Sequence, residues 1–289
     1  MLAWKRLKQR LAAGLRAIRV LGVAEHVRFV LACIGGWRRN RSFRRQHPDF
    51  VPPPAYEMFD AYNHVDWHAY WSSGRSHAEM IARLIDKHAG APPRCILDWG
   101  CGSGRVIRHL PGCLGEDSRY FGTDYNPRSI AWSQRTLAAI RFSTNGLAPP
   151  LDFPDEFFDC IYGISVLTHL SEPMHFAWLA ELKRALKPGG ILITSTHGHR
   201  FRDSDLSQGE QRAYDAGALI VRAKVREGSK WYSAYHPPQF MRERLLSGLE
   251  ILEHVVDPAP NLLQDLWVAR KPPHTVTPDA GRATSSGRG

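Results

Sequence analysis

The run Asp98-Trp99-Gly100-Cys101-Gly102-Ser103-Gly104 closes a short apolar segment that begins at Cys95. Glycines at alternate positions let a backbone turn tightly and leave no Cβ between it and a ligand. A helix beginning near Arg105 would then present free N–H groups at the turn. The spacing is G-x-G-x-G with an acid two residues ahead, whereas a nicotinamide-dinucleotide loop reads G-x-G-x-x-G. Asp98 would repel a pyrophosphate and suits a ligand with an ammonium group. A second apolar segment, Tyr120 to Thr123, ends in Asp124. An acid there can accept both hydroxyls of a ribose, or it can cap the turn at Tyr125-Asn126-Pro127. His169 follows a fourth apolar segment, and His197 and His199 follow a fifth. At the carboxyl ends of strands, where such sheets bind ligands, a histidine can take a proton from a hydroxyl. His169 can equally be a hydrogen-bonder at a helix start. His197-x-His199 has the spacing of a metal pair, but no third ligand is evident, so no metal is expected.

The stretch from Leu151 to Gly190 narrows the choice, because the loop and Asp124 alone do not separate S-adenosylmethionine (SAM) from NAD. It contains Phe158-Asp159-Cys160-Ile161-Tyr162 and ends Leu186-Lys187-Pro188-Gly189-Gly190. With the glycine loop, these segments resemble the class I SAM-dependent methyltransferase family across roughly residues 70–270. Tyr162-Gly163-Ile164-Ser165-Val166-Leu167-Thr168-His169-Leu170 is similar to a bacterial type 11/12-like branch associated with glycan and cell-envelope biosynthesis, as is Gln264-Asp265. The resemblance implies a doubly wound Rossmann-like seven-stranded sheet of order 3-2-1-4-5-7-6 with the last strand antiparallel. It implies SAM as the methyl donor and a small-molecule or glycan acceptor, first of all a hydroxyl. Gly100, Gly102 and Gly104 would pass under the methionine and ribose of the cofactor, with Asp98 near the methionine amino end. Asp124 would take the ribose hydroxyls, and Tyr125 would pack on the adenine. Asn145-Gly146 stands where many members carry an Asp, and the Asn145 oxygen can still accept from the adenine amino group. Tyr70, Gly74 and Arg75 resemble the segment that covers the methionine, with Arg75 either pairing its carboxylate or standing as a surface arginine.

The elements that must position these residues are legible in outline. Strands are expected at Cys95 to Trp99, Tyr120 to Thr123, Arg141 to Thr144, Cys160 to Ile164 and Ile191 to Ser195, then at Glu250 to Val256 and Asp265 to Ala269. Helices are expected at 56–90, Ser129 to Ile140 and Pro173 to Leu186, with one more after Pro237-Pro238. Alternation of this kind gives a parallel sheet covered on both faces. Ser171 can cap the third of these helices, with Glu172 at its positive end. Residues 199–236 break the rhythm and read as an insertion over the acceptor side. Its Trp231, Tyr232, Tyr235 and His236 either line an acceptor pocket or form the insertion's own core.

Charge divides the chain. Residues 1–47 hold twelve Lys and Arg against one acid, Glu25, and the rest of the chain is close to neutral. The net +10 therefore belongs to an arm and implies a partner for that arm rather than a nucleic-acid substrate. A first helix, residues 2–21, carries Trp4, Leu7, Leu11, Leu15 and Ile18 at three- and four-residue spacing between basic residues. Gly22 is expected to break it before a second helix, Val23 to Ile34. Such an arm suits an anionic membrane surface, or it packs on the main domain, or it is an organelle transit segment. Pro48 and Pro52-Pro53-Pro54 mark a linker, so the expected division is arm 1–47, methyltransferase domain 48–270 and disordered tail 271–289. Five cysteines without a C-x-x-C pair argue against a disulfide framework or a zinc site. A cytoplasmic protein, peripheral on the inner face of the membrane, is expected. Two other readings stay open: a nucleotide-dependent oxidoreductase, and an inactive SAM-fold scaffold acting through its basic arm.

Overall fold

The structure, a computed structural model, describes residues 2–274 except 224, 257, 260 and 261, and only the backbone of residues 2–22. The side chains of the Trp4-to-Ile18 stripe and residues 275–289 of the expected tail thus lie outside the described residues. The arm is one helix, α1 (Leu2–Gln46), with no break at Gly22. A lone glycine costs a helix only about 1 kcal/mol against alanine, too little to end it without a proline or a cap. The second half of α1 docks on the domain. Phe29, Ala32 and Cys33 pack against a small core of Met58, Phe59, Val65 and Tyr70. Asn40 fixes the register, donating to the Val65 carbonyl at 2.8 Å and accepting from the Trp67 amide at 3.0 Å. The proline segment after α1 therefore joins two packed elements and does not tether a free arm.

One helix was expected over 56–90, and two are found, α2 (Ala55–Tyr62) and α3 (Trp67–His88). Asn63 adopts the left-handed conformation that ends α2. Asp66 then caps α3, accepting from the Ala69 amide at 3.0 Å. The sheet strands follow as β1 (Cys95–Trp99), β2 (Arg119–Asp124), β3 (Ile140–Thr144), β4 (Phe158–Gly163) and β5 (Leu186–Thr196). Between them lie α4 (Leu110–Leu114), α5 (Pro127–Thr136) and α6 (Glu172–Ala185). After β5 come α7 (His199–Asp205), α8 (Gln208–Asp215) and the antiparallel pair β6 (Ile220–Arg222) and β7 (Ser233–Tyr235), which together form most of the insertion. A π-helical turn at Phe240–Leu245 leads to β8 (Glu250–Val255) and β9 (Asp265–Arg270).

The seven-stranded sheet has the order β3-β2-β1-β4-β5-β9-β8. β1 to β5 run parallel, and β9 is antiparallel to both its neighbours. With β8 and β9 as the sixth and seventh strands of the sheet, this is the expected order. The two-residue period of the strands builds a core on each face. Ile96, Cys160, Tyr162, Ile191, Ile193 and Val268 pack with Ile81, Leu84 and Ile85 of α3 on one side. Leu97, Trp99, Ile161, Leu192 and Trp267 pack with Trp178, Leu179 and Leu182 of α6 on the other. Burial of both faces explains why the central strands read as continuous apolar runs.

Candidate active site

At the carboxyl ends of β1, β2 and β4 lies a cavity of about 750 Å³. Its wall includes residues 98–103 and Arg105 of the loop, Asp124-Tyr125-Asn126, Asn145-Gly146-Leu147 and Ile164-Ser165-Val166, whereas Gly104 faces Leu137 and Phe142 of the core. Gly100, Gly102 and Gly104 all have positive φ, at 76°, 54° and 68°, so the spacing answers a backbone requirement. The amides of Gly100 and Cys101 bond the Thr123 carbonyl at 2.8 and 2.9 Å, tying the loop to β2. The expected helix at Arg105 is not formed there. A run of turns leads to a 3₁₀ turn at Ile107–His109 and then the short α4. Cys101 accepts from the Gly104 amide at 2.9 Å, so part of the donor array closes on itself.

Helix α3 lies against this loop on one stripe. The Tyr70 hydroxyl donates to the Ser103 carbonyl at 2.9 Å, and Arg105 donates to Ser73 Oγ at 3.2 Å and to His77 Nδ1 at 3.1 Å. Gly74 lies between them, and a Cβ there would come within 2.1 Å of the Arg105 carbonyl. Positions 70, 73, 74 and 77 share one helix face, and position 75 turns away from it. Arg75 accordingly is exposed, pairs with Glu79 at 2.9 Å and does not line the cavity. Tyr70 is fully buried and supports the loop from behind rather than lining the cavity. The cation that lines it on the loop side is Arg105, whose guanidinium lies 5.1 Å from the ring centre of Tyr62. Sequence reasoning passed over Arg105, although it is the first cation after the last loop glycine.

The cavity has unspent polar groups. Arg105 Nε and His77 Nε2 are buried without partners. Because Arg105 donates to His77 Nδ1, the His77 proton sits on Nε2, and burial holds this imidazole neutral, with its pKa lowered to about 3. Two unpaired buried donors suit a carboxylate. Asn145 Oδ1 is a buried acceptor without a partner, its amide nitrogen donating to the Gly146 carbonyl at 2.6 Å. Burial raises Asp98 to about 7. The Tyr162 hydroxyl and the Arg105 charge oppose that rise only in part, Tyr162 approaching without a hydrogen bond of regular geometry. Burial also raises Asp124. Tyr125 lines the cavity and donates to the Gly228 carbonyl at 2.9 Å, which joins the β2 end to the insertion.

On the side of β4 and β5, Ser165 holds a left-handed conformation at φ 62°. Its amide donates to Ser195 Oγ at 2.7 Å, and both serine hydroxyls donate to Gln264 Oε1, at 3.1 and 2.6 Å. These bonds hold an unfavourable backbone in place. Beside it, His169 lines the cavity. Its Nδ1 lies 2.7 Å from the Tyr232 carbonyl, which can only accept, so Nδ1 carries the proton and Nε2 keeps its lone pair. Burial lowers the His169 pKa, which keeps the ring neutral. His197 does not line the cavity. It is packed between Phe201 and Tyr235, ring centres 4.1 and 5.4 Å away, and its Nδ1 faces the Ala234 carbonyl. His199 is exposed against Tyr214. Tyr232, Tyr235 and His236 are buried away from the cavity, in the packing of the insertion, and Trp231 is exposed. The insertion instead contributes Gly228 and Lys230 to the cavity wall. Ser171 occupies the N-cap of α6 without a side-chain capping bond. Its amide is taken by Glu227 and its carbonyl accepts from His175. Among the described residues, no group of three His, Cys, Asp or Glu side chains is placed to hold a metal ion, and no helix is long and apolar enough to cross a membrane.

Residues 96–190 match the profile of the methyltransferase domain family. The tRNA U34 carboxymethyltransferase of Cellvibrio japonicus is 32% identical over 135 residues, 45% of this chain and 41% of that protein. The ajmaline N-methyltransferase of Rauvolfia serpentina is 30% identical over 170 residues, 54% of this chain and 56% of that protein. The chain thus spans about half the length of these curated relatives. A solved protein of Pyrococcus horikoshii, 18% identical, shares the fold over 68% of this chain and 90% of its own, with a TM-score of 0.50. The matched residues run from β1 and its glycine loop to the turn inside β5, and the sheet that carries them has the family's strand order. Residues 96–190 therefore match a methyltransferase domain, carried on a sheet with the strand order expected for the class I SAM-dependent family.

Proposed function

We propose that this chain binds SAM in the cavity at the ends of β1, β2 and β4 and transfers a methyl group to a hydroxyl of a small-molecule or glycan acceptor. The unspent polar groups fit that cofactor. Arg105 and His77 would hold its carboxylate, Asp98 its ammonium group, Asp124 the ribose hydroxyls, and Asn145 with Tyr125 the adenine. The cofactor supplies an electrophilic methyl on a sulfonium. What remains for the protein is alignment, which supplies much of the rate, and acceptance of the acceptor's proton.

His169 is the observation that carries the choice of a hydroxyl. A hydroxyl needs a base when it attacks, whereas a neutral amine brings its own lone pair. His169 Nε2 has a lone pair, its tautomer is fixed by the bond from Nδ1–H to the Tyr232 carbonyl, and burial keeps it unprotonated near neutral pH. After taking the proton, the imidazolium keeps its bond to that carbonyl. The near-neutral charge of residues 48–289 favours a small or glycan acceptor over a nucleic acid.

Incubation with methyl-labelled SAM and fractionated cell extract would identify the acceptor. His169→Ala should lower turnover on it about 10²-fold with SAM affinity unchanged, and His197→Ala should not. Equal turnover by His169→Ala, or label found only on amines, would overturn the hydroxyl reading. No label in any fraction would favour the inactive scaffold.

A further inference from the structure

The docked half of α1 has a second face, and it is apolar. Val23, Val27, Val30, Leu31, Ile34 and Trp37 are all exposed, Ile34 at 69% and Trp37 at 59%. Their three- and four-residue spacing puts them on one stripe. Phe29, Ala32 and Cys33, which touch the domain, lie on another. The same outer stripe continues into Arg38, Arg41 and Arg45, each four residues beyond Ile34, Trp37 or Arg41 and each exposed. The Arg41 guanidinium stands 5.6 Å from the Trp37 ring centre. The single acid of the arm is spent elsewhere. Glu25 pairs with Lys230 of the cavity wall at 2.6 Å and with Arg28 at 2.9 Å. The outer face of residues 23–46 therefore joins a continuous apolar stripe to arginines, with no negative charge.

We propose that this face is a docking surface for an anionic lipid membrane, on which α1 lies flat with the stripe in the acyl boundary and Arg38, Arg41 and Arg45 among the headgroups. An interfacial helix needs that combination of apolar face and basic flank. A second copy of the chain fits the face less well. The apolar repeat from Val23 to Trp37 spans about two heptads, short of the three to four of a coiled coil. A parallel pair would also set Arg41 against Arg41. Because Glu25 touches Lys230 on the inner side of the same helix, docking would hold the cavity wall about one helix diameter, ~10 Å, from the lipid.

Flotation of the full chain with phosphatidylcholine vesicles, with and without phosphatidylglycerol, tests this without using methyl transfer, so its outcome is separate from that of the proposed activity. The protein should float with the anionic vesicles only, and far less at high salt. Leu31→Asp/Ile34→Asp and Arg38→Glu/Arg41→Glu/Arg45→Glu should each reduce the floating fraction at least tenfold while keeping the melting temperature and SAM affinity of the unaltered chain. The substituted side chains are exposed, so folding is retained. Absence of flotation, equal flotation by either variant, or a dimer in sedimentation equilibrium that Leu31→Asp/Ile34→Asp dissociates without any flotation would overturn it.

Discussion

The Asp124 carboxylate accepts the amide of Gly102 at 2.8 Å, joining the end of β2 to the middle glycine of the loop. Its other oxygen accepts the Asn126 amide at 2.8 Å. The two readings open in the sequence, ribose acceptor and turn cap, are thus compatible, because one side chain occupies both positions and each oxygen keeps a further lone pair.

Asp124→Ala should therefore reduce both stability and SAM affinity. Hydrogen bonds to a charged group contribute roughly 1.5–3 kcal/mol, so denaturant unfolding without ligand should show a loss of that order. Asp124→Asn keeps an acceptor and should lose less. A stability loss near zero in Asp124→Ala would mean that the loop holds its shape without this bond.

Arg105 and Arg75 can be separated by calorimetry. Arg105→Ala removes the only cation that lines the loop side of the cavity among the described residues and should weaken SAM binding at least about tenfold, or 1.4 kcal/mol. Arg75→Ala breaks an exposed pair with Glu79, worth about 0–1 kcal/mol, and should leave binding unchanged. The reverse pattern would restore Arg75 as the carboxylate partner.

Asp98 predicts a pH dependence. Its carboxyl is raised to about 7 by burial, and a ligand ammonium binds its ionised form. In the free protein the group takes up a proton as pH falls through 7, and binding must expel it. SAM affinity should fall below pH 7, approaching about tenfold per unit, and Asp98→Asn should be weaker and pH-independent over that range. The same shift has a stability consequence of opposite direction. A carboxyl raised on folding destabilises the ligand-free protein as pH rises from the usual carboxylate range toward 7. A SAM affinity flat from pH 5.5 to 7.5, a range of about two units, would remove Asp98 from the ammonium site.

The sheet was legible because its information is local. Strands buried on both faces are short apolar runs, and Gly100, Gly102 and Gly104 mark a backbone that other residues rarely adopt. The choice between Arg75 and Arg105 was not legible, since it depends on which stripe of α3 meets the loop. Gly74 is the sequence trace of that contact, but its meaning needs the Arg105 carbonyl beside it. His169 and His197 look alike in sequence, and only the placement of Phe201 and Tyr235 withdraws His197 from the cavity. The β6–β7 pair was missed because its three-residue strands are too short to show a period. The continuity of α1 through Gly22 was missed because a glycine's local cost was weighed without the length of helix on either side.

Titration of the purified chain with SAM and with NAD, beside Gly102→Val, tests the assignment of the loop most directly. Gly102 sits at φ 54°, where a branched side chain is strained, and a Cβ there would stand 3.5 Å from the Tyr62 hydroxyl at the cavity wall. The account predicts saturable SAM binding by the unaltered chain, no NAD binding, and SAM affinity lowered at least about tenfold in folded Gly102→Val. Saturation by NAD without heat from SAM, or unchanged SAM affinity in the folded variant, would contradict it.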